Sequence, residues 1–325
     1  MSATLRMLDA MIDEPAPLRP HAACWVEGMD ASTPLSFAQA RAAGLSANTI
    51  ARLVRERRLR RLLKGVYVAS QVPDSLDLRL AALRLVVPAD SVIVDRTAGW
   101  LHGADVLEPG SHQSVPQVSA YLDRHRRLRN DLARSGHRGL RPGDVVELGG
   151  LRVTTPLRTA WDLGRLLRRD QAFAALDALL HLRVFTKPEL VAGIARFRGM
   201  RGVVQLRHLA PLTDARAESP PESILRLRWL ETDLPRPEPQ VWVGNDLGEL
   251  LGRLDLANAE HRIYAEYDGA AWHQSAEQQA RDVARRRLID REGWRGEVFV
   301  DTDLFGPGAD PWSKLRRLMA QRRTA

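Results

Sequence analysis

The sequence holds one cysteine, Cys24, which excludes an intrachain disulfide and a cysteine-cluster zinc site and suits a reducing compartment. Aromatic residues are scarce, at 6%. No run approaches the roughly 18 apolar residues that a membrane-spanning helix requires. The N-terminus, MSATLRMLDAMIDEPAPLRP, places acids and prolines where a secretory signal needs an unbroken apolar core. A cytoplasmic protein without a membrane partner is expected. Lysine is almost missing: of 48 lysines and arginines, only Lys64, Lys187 and Lys314 are lysine. An arginine-rich, lysine-poor chain is a common outcome of GC-rich coding, so the position of an arginine carries more weight than its identity.

What is present is enough chain, 325 residues, for two or three domains. With 44% hydrophobic and 27% charged residues it lies in the globular range rather than the disordered one. The formal net charge of +8 favours polyanionic partners, nucleic acid first, through phosphate neutralisation and counterion release.

Residues 1–33 hold several prolines and no periodic apolar pattern, and are expected to be a flexible lead. SFAQARAAG then predicts a short helix stopped at Gly44, and Ser46 caps a second helix with Ile50, Leu53 and Val54 on one face. LRRLLKGVYVAS follows as a small hairpin turning at Lys64-Gly65. Helix, turn, helix, hairpin is the order of a winged helix, assigned to residues 34–75. On the second helix Thr49, Arg52 and Arg55 lie away from the apolar stripe, where a recognition helix contacts the major groove. Arg57, Arg58, Arg60, Arg61 and Lys64 would reach phosphates from the turn and wing.

Residues 76–212 read as a mixed α/β middle domain. SVIVDRTAGWLHG is a buried strand entering a helix, Thr155 with Pro156 starts another, and Thr186 with Glu189 has capping-box spacing. The stretch Asp123–Gly143, with seven arginines against two acids, is expected to be a solvated loop.

Residues 216–325 form the third domain. A helix begins at Ser219-Pro220 with Glu222 at the capping-box position, followed by VWV, ELLGRLDLANA and HRIYAEYDG as strands. A helix over 275–292 and a strand EVFVDTDLF complete the order α-β-β-β-α-β. The strand period of two puts Tyr264, Glu266 and Asp268 on one face. With a loop at about 258–261, Asp255 lies beside Tyr264 and diagonal to Glu266, at a spacing that a shared hard cation fits. His273, after Trp272, can act on water or a phosphate oxygen. The helix should pack Ala280, Val283, Ala284, Leu288 and Ile289 on the sheet and leave Arg281, Arg285 and Arg286 for backbone phosphates.

Glu222, Asp255, Glu266-Tyr267-Asp268-Gly269, His273, Asp282 with Arg285, and Gly293-Trp294, in that order, resemble the very-short-patch-repair-like branch of the PD-(D/E)xK nuclease superfamily over residues 216–306. The resemblance implies a restriction-endonuclease-like fold and catalysis by Asp255, Glu266, Asp268, His273 and Glu222. Mg²⁺, with Mn²⁺ as an alternative, would be held by Asp255 and Glu266. The superfamily's lysine, two residues after the Glu, is here Asp268, and His273 would stand in for it. AGLSANTIARLVRERRLRRLLKGVY resembles the AbiEi-family antitoxin winged helix, and VTTPLRTAWDL is similar to the segment that follows it in such proteins.

The overall expectation is an α/β (α+β) protein that binds double-stranded DNA. Two principal readings stay open: a metal-dependent endonuclease hydrolysing phosphodiesters, and a non-catalytic antitoxin-like regulator on operator DNA. The further partners allowed are a toxin and a second copy of the chain. An RNA-acting nuclease or a protein-interaction scaffold is a third reading, without RRM or KH signatures to raise it.

Overall fold

The structure is a computed structural model that describes residues 32–107, 117–122, 132–134, 136, 138–269 and 276–322. Cys24, Trp272 and His273 lie outside the described residues, as does most of the lead. The fold is mixed α/β, as expected. The chain divides into two units, Met1–Pro88 with His112–Gln117, and Ala89–Ser111 with Val118–Ala325.

In the first unit, β1 (Leu35–Ser36) leads into α1 (Phe37–Ala42), α2 (Ala47–Arg55), β2 (Leu59–Leu63), β3 (Val66–Ala69) and α3 (Leu76–Arg84). The sheet order is β1-β3-β2, with β1 a pairing that sequence did not anticipate. Both short helices start on serine caps: the Ser36 Oγ accepts the Gln39 N–H and the Ser46 Oγ accepts the Thr49 N–H. Gly44, at φ 87°, makes the turn between them. Leu35, Ala40, Ile50, Leu53, Leu59 and Tyr67 form the core. Two helices followed by a hairpin keep the order expected of a winged helix.

The second unit opens with β4 (Val92–Ile93), α4 (Asp95–Leu101), β5 (Val118–Tyr121), β6 (Ala133–Arg134), β7 (Val145–Leu148) and β8 (Leu151–Thr154), in a sheet ordered β6-β5-β4-β8-β7. Helices α5 (Pro156–Leu166), α6 (Arg169–His181), α7 (Lys187–Ala192) and α8 (Val203–Leu209) follow. The expected caps hold: the Thr155 Oγ1 accepts the Arg158 N–H, and Thr186 with Glu189 forms a reciprocal box. Phe173, Leu176, Leu179, Leu190, Leu206 and Leu209 centre their shared core.

The chain continues as α9 (Pro220–Leu230), β9 (Glu238–Gly244), β10 (Leu250–Asn258), β11 (Ile263–Tyr267), α10 (Ala276–Arg291), β12 (Arg295–Phe299), α11 (Asp301–Leu304) and α12 (Pro311–Arg322). The sheet order is β12-β11-β10-β9, with only β11 and β12 parallel. Leu225 and Trp229 of α9, with Leu315 and Leu318 of α12, pack on one face against Leu256, Ala265 and Phe299. On the other face Ile289 of α10 packs with Val243, Ala257 and Tyr264. Helix α9 is two-sided: its Leu227 belongs to the core of α5–α8 instead.

Three expectations are corrected here. The last strand stops at Phe299, because the Asp303 carboxylate accepts the Val300 N–H and turns the DTDL segment into α11. Arg138 of the basic 123–143 stretch has its side chain largely withdrawn from solvent, since Asp95 and Asp162 each lie 2.6 Å from it. Helix α10 turns the opposite way from its expected packing. Ala280, Val283, Ala284 and Leu288 are exposed and only Ile289 is buried, while Arg285 and Arg286 face inward. A buried carboxylate opposite them, Glu266, is the reason.

Candidate functional site

The first candidate is the basic face of the winged helix. Burial of Ile50 and Leu53 rotates α2 so that Arg52 and Arg55 are exposed. Thr49 is half-buried, with its hydroxyl 2.8 Å from the Ser46 Oγ. Arg52 lies 3.5 Å from Glu56, an exposed pair too weak to withhold it from a phosphate. Arg57 (φ 55°) and Arg58 form the exposed turn after the helix. Arg61 is exposed with its guanidinium 5.5 Å from the Tyr67 ring, and Lys64 sits at the hairpin tip beside Gly65, at φ 74°. Arg60 differs, because it donates to the Val72 carbonyl at 2.9 Å and so braces the hairpin.

The second candidate is acidic. Leu256 pairs with Ala265 and Ala257 with Tyr264, so one step further along β10 Asp255 stands opposite Glu266. This corrects the expected register, which set Asp255 beside Tyr264. The turn is centred two positions later in the paired sum, because β10 runs on to Asn258 and β11 begins at Ile263. The change brings the two carboxylates closer than the diagonal placement. Asp255 Oδ2 accepts the Tyr267 N–H at 2.8 Å. Burial pushes the Asp255 carboxyl up to about 7, against the pull of that hydrogen bond, and the charges of Glu222 and Glu266 raise it further.

Glu222 therefore joins the cluster. Ser219 caps the helix by accepting the Glu222 N–H at 3.4 Å, but the reciprocal half of the expected capping box is missing: the Glu222 Oε1 accepts from the Ser219 hydroxyl at 2.7 Å and its Oε2 from Gln240 Nε2 at 2.8 Å. Gln240, which sequence reasoning missed, has φ 58°, and its Oε1 is buried with no partner among the described residues. No local signal marks it, because the contact spans 18 residues.

Glu266 is buried and held at both oxygens: Arg285 Nη2 donates to Oε1 at 2.7 Å and Arg286 Nε to Oε2 at 3.0 Å. Asp268 lies 3.9 Å from Arg286. Arg281 is exposed and 3.6 Å from Glu277. Of the expected site residues, the fold thus brings together Glu222, Asp255, Glu266, Asp268 and Arg285. His273 lies outside the described residues.

The donor set is oxygen only, which suits a hard divalent ion. The Asp255 carboxyl is raised chiefly by burial, with the neighbouring Glu222 and Glu266 charges adding to it. Arg285 must release Glu266 for both carboxylates to serve one ion. Among the described residues no group of three His, Cys, Asp or Glu side chains stands at metal-ligand spacing.

A buried ion network lies under α5 and was not visible in the sequence. Arg158 donates to Asp162 at 2.9 Å and to Asp144 at 2.7 Å, and Arg196 holds both oxygens of Asp144. Arg165 adds a bond to Asp162 at 2.8 Å. Burial raises Asp162, but the charges of Arg138 and Arg158 outweigh it and leave the carboxyl below its usual range. The network joins α5, the turn before β7 and the 3₁₀ turn Gly193–Phe197. Most of its donors and acceptors meet one another, as in a structural brace, although the buried Arg165 Nε has no hydrogen-bond partner among the described residues.

Residues 91–212, which contain that network, match the AbiEi antitoxin C-terminal domain. Two Mycobacterium tuberculosis proteins are each 34% identical over 252 residues, covering 75% of this chain and 86% of their own length. They are "Uncharacterized protein MT2308" of strain CDC 1551 / Oshkosh and "Uncharacterized protein Rv2248" of strain ATCC 25618 / H37Rv. The chain belongs to one family with these mycobacterial proteins, and its central part, residues 91–212, is similar to the AbiEi antitoxin C-terminal domain. No helix among the described residues is long and apolar enough to cross a membrane.

Proposed function

We propose that this protein is an antitoxin-type regulator that occupies operator DNA through its winged helix. The observation that carries the reading is the face of α2. Ile50 and Leu53 anchor it, and Arg52 and Arg55 stand outward to enter a major groove beside Arg57, Arg58, Arg61 and Lys64 at phosphate-contacting positions. The AbiEi match and the net charge of +8 support it, and a cognate toxin is the protein partner that the match favours. Selection from random double-stranded DNA, followed by footprinting, tests it. An enriched site protected by the native chain and lost with Arg52→Ala and Arg55→Ala is expected. Equal recovery of all sequences would refute it.

A second reading, metal-dependent phosphodiester hydrolysis, is favoured by one observation, Asp255 facing Glu266 with Glu222 nearby. Asp255 and Glu266 would hold Mg²⁺ or Mn²⁺, which supplies Lewis acidity at a scissile phosphate. Around it Asp268 would tune the site, His273 would orient water, and Arg281 and Arg285 would steady the backbone phosphates. Incubation of supercoiled DNA with Mg²⁺, Mn²⁺ or EDTA, beside Asp255→Ala, tests this reading. On this reading nicking needs metal and Asp255, and cleavage retained by the variant would remove Asp255 from the chemistry.

A further inference from the structure

The β9–β10 hairpin differs in character from the rest of this basic chain. Its tip, from Val243 to Leu250, carries Asp246 and Glu249 and no cation, while Glu238 at its base pairs with Arg216 at 3.2 Å and Arg253 on the returning strand stands opposite Trp242. Along it Trp242, Leu247 and Leu250 project outward, with Leu247 85% and Leu250 69% exposed. The tip is braced from within. Asn245 Oδ1 accepts the Leu247 N–H at 3.1 Å and the Glu249 N–H at 2.8 Å, and Asn245 Nδ2 donates to the Glu249 carboxylate at 2.7 Å. Gly248, at φ 81°, closes the turn. Leu247 is therefore displayed by a loop that has already lost its conformational freedom, which lowers the cost of docking it. The hairpin also forms the edge of its sheet, since β9 pairs only with β10 among the described residues.

A surface of the opposite charge and equal apolarity lies elsewhere in the same unit. Residues 198–207, RGMRGVVQLR, carry three arginines and no acid. Arg198, Arg201 and Arg207 are exposed and make no ion pair among the described residues. Between them Met200 is 50% and Val204 74% exposed. This surface is also rigid. Gly202 has φ 77° and packs so closely that a Cβ there would sit 1.8 Å from the Arg165 carbonyl oxygen, while Arg165 donates to the Arg201 carbonyl at 3.0 Å.

We propose that the hairpin of one copy of this chain docks on the 198–207 surface of a second copy, head to tail. Asp246 and Glu249 meet the arginines, and Leu247 and Leu250 meet Met200 and Val204. A nucleic acid would satisfy the arginines but would set Met200 and Val204 against phosphates, whereas the hairpin supplies both chemistries. Because the two surfaces differ, the contact is heterologous, and successive copies close into a ring or extend as a chain.

Sedimentation equilibrium of the full chain tests the proposal over a salt series from about 0.1 to about 0.5 M, in which charge pairing weakens. The expected mass exceeds the 36.4 kDa of one chain at low salt and falls toward it as salt rises. Leu247→Asp, which spoils the hairpin, and Val204→Glu, which spoils the surface, should each give single chains. Leu250→Ser and Met200→Ser serve as milder controls should either fold poorly. An equimolar mixture of the two variants retains one good hairpin and one good surface, and should form a species of twice the single-chain mass. A native chain that stays single throughout, or a mixture that does not associate, would overturn the proposal. So would Arg201→Glu lowering DNA affinity while leaving the native mass unchanged.

Discussion

Asp177 of α6 and Arg226 of α9 form an ion pair 2.6 Å apart with both side chains buried. Asp177 also accepts the Asp214 N–H at 2.9 Å, and Arg226 donates to the Leu212 carbonyl and lies 4.6 Å from the Phe173 ring. The pair ties the core of α5–α8 to the helix that carries Glu222. With Leu227 in the core of α5–α8 and Trp229 in the core under β10–β12, α9 belongs to two hydrophobic cores at once.

Breaking that pair on one side should cost on the order of 3–5 kcal/mol, because it strands a buried charge. Arg226→Met or Asp177→Asn is therefore expected to lower the urea midpoint sharply, and the double change Asp177→Leu with Arg226→Met should recover most of it. A double variant as unstable as the single ones would show that the cost lies in packing rather than in the unpaired charge.

Asp255 should make stability depend on pH in a definite direction. Its carboxyl is raised from 3.8 to about 7, chiefly by burial. Between those values the unfolded chain has released a proton that the folded chain still holds, so stability falls as pH rises through this window. Asp255→Asn removes the effect while leaving an oxygen for the Tyr267 N–H. Its melting temperature should match the native protein's near pH 4 and exceed it by several degrees at pH 8, since ~1 kcal/mol moves a chain of this size by about 2–4 °C. A gain no larger at pH 8 than at pH 4 would contradict the assignment.

Gly202 should tolerate no side chain. Its φ of 77° disfavours L residues, and an added Cβ would meet backbone, the Arg165 carbonyl, at 1.8 Å. Gly202→Ala is expected to destabilise by more than ~2 kcal/mol through strain and displacement of that carbonyl. Gly199→Ala, which shares the positive φ but meets nothing within 4 Å, should cost less in the same denaturant titration.

For the winged helix, the expected signature is in salt dependence. If Arg58 contacts a phosphate, Arg58→Ala should reduce the slope of log affinity against log salt by about one and weaken all sequences alike. If Arg55 reads a base, Arg55→Ala should relax preference at one position. Titrations at several salt concentrations, on selected and scrambled DNA, separate the two.

The elements legible in the sequence are those set by partners within a few residues. Ser46, Thr155-Pro156, Thr186 with Glu189 and Ser219 each cap the helix they were expected to cap, because a cap is satisfied three residues away. The α-β-β-β-α-β order around the acidic residues was readable for the same reason, through local periodicity and turns. Only the tertiary structure decided the rest. Asp255 faces Glu266 because the turn sits where β10 ends, and a shift of this kind changes which side chains meet without altering either strand's own pattern. Helix α10 turns its arginines inward because a buried carboxylate across the sheet demands a cation more strongly than Val283 and Leu288 demand burial. Gln240 with Glu222, Arg196 with Asp144 and Arg226 with Asp177 join residues 18, 52 and 49 positions apart. Such pairs depend on where the chain returns in space, which no local spacing encodes.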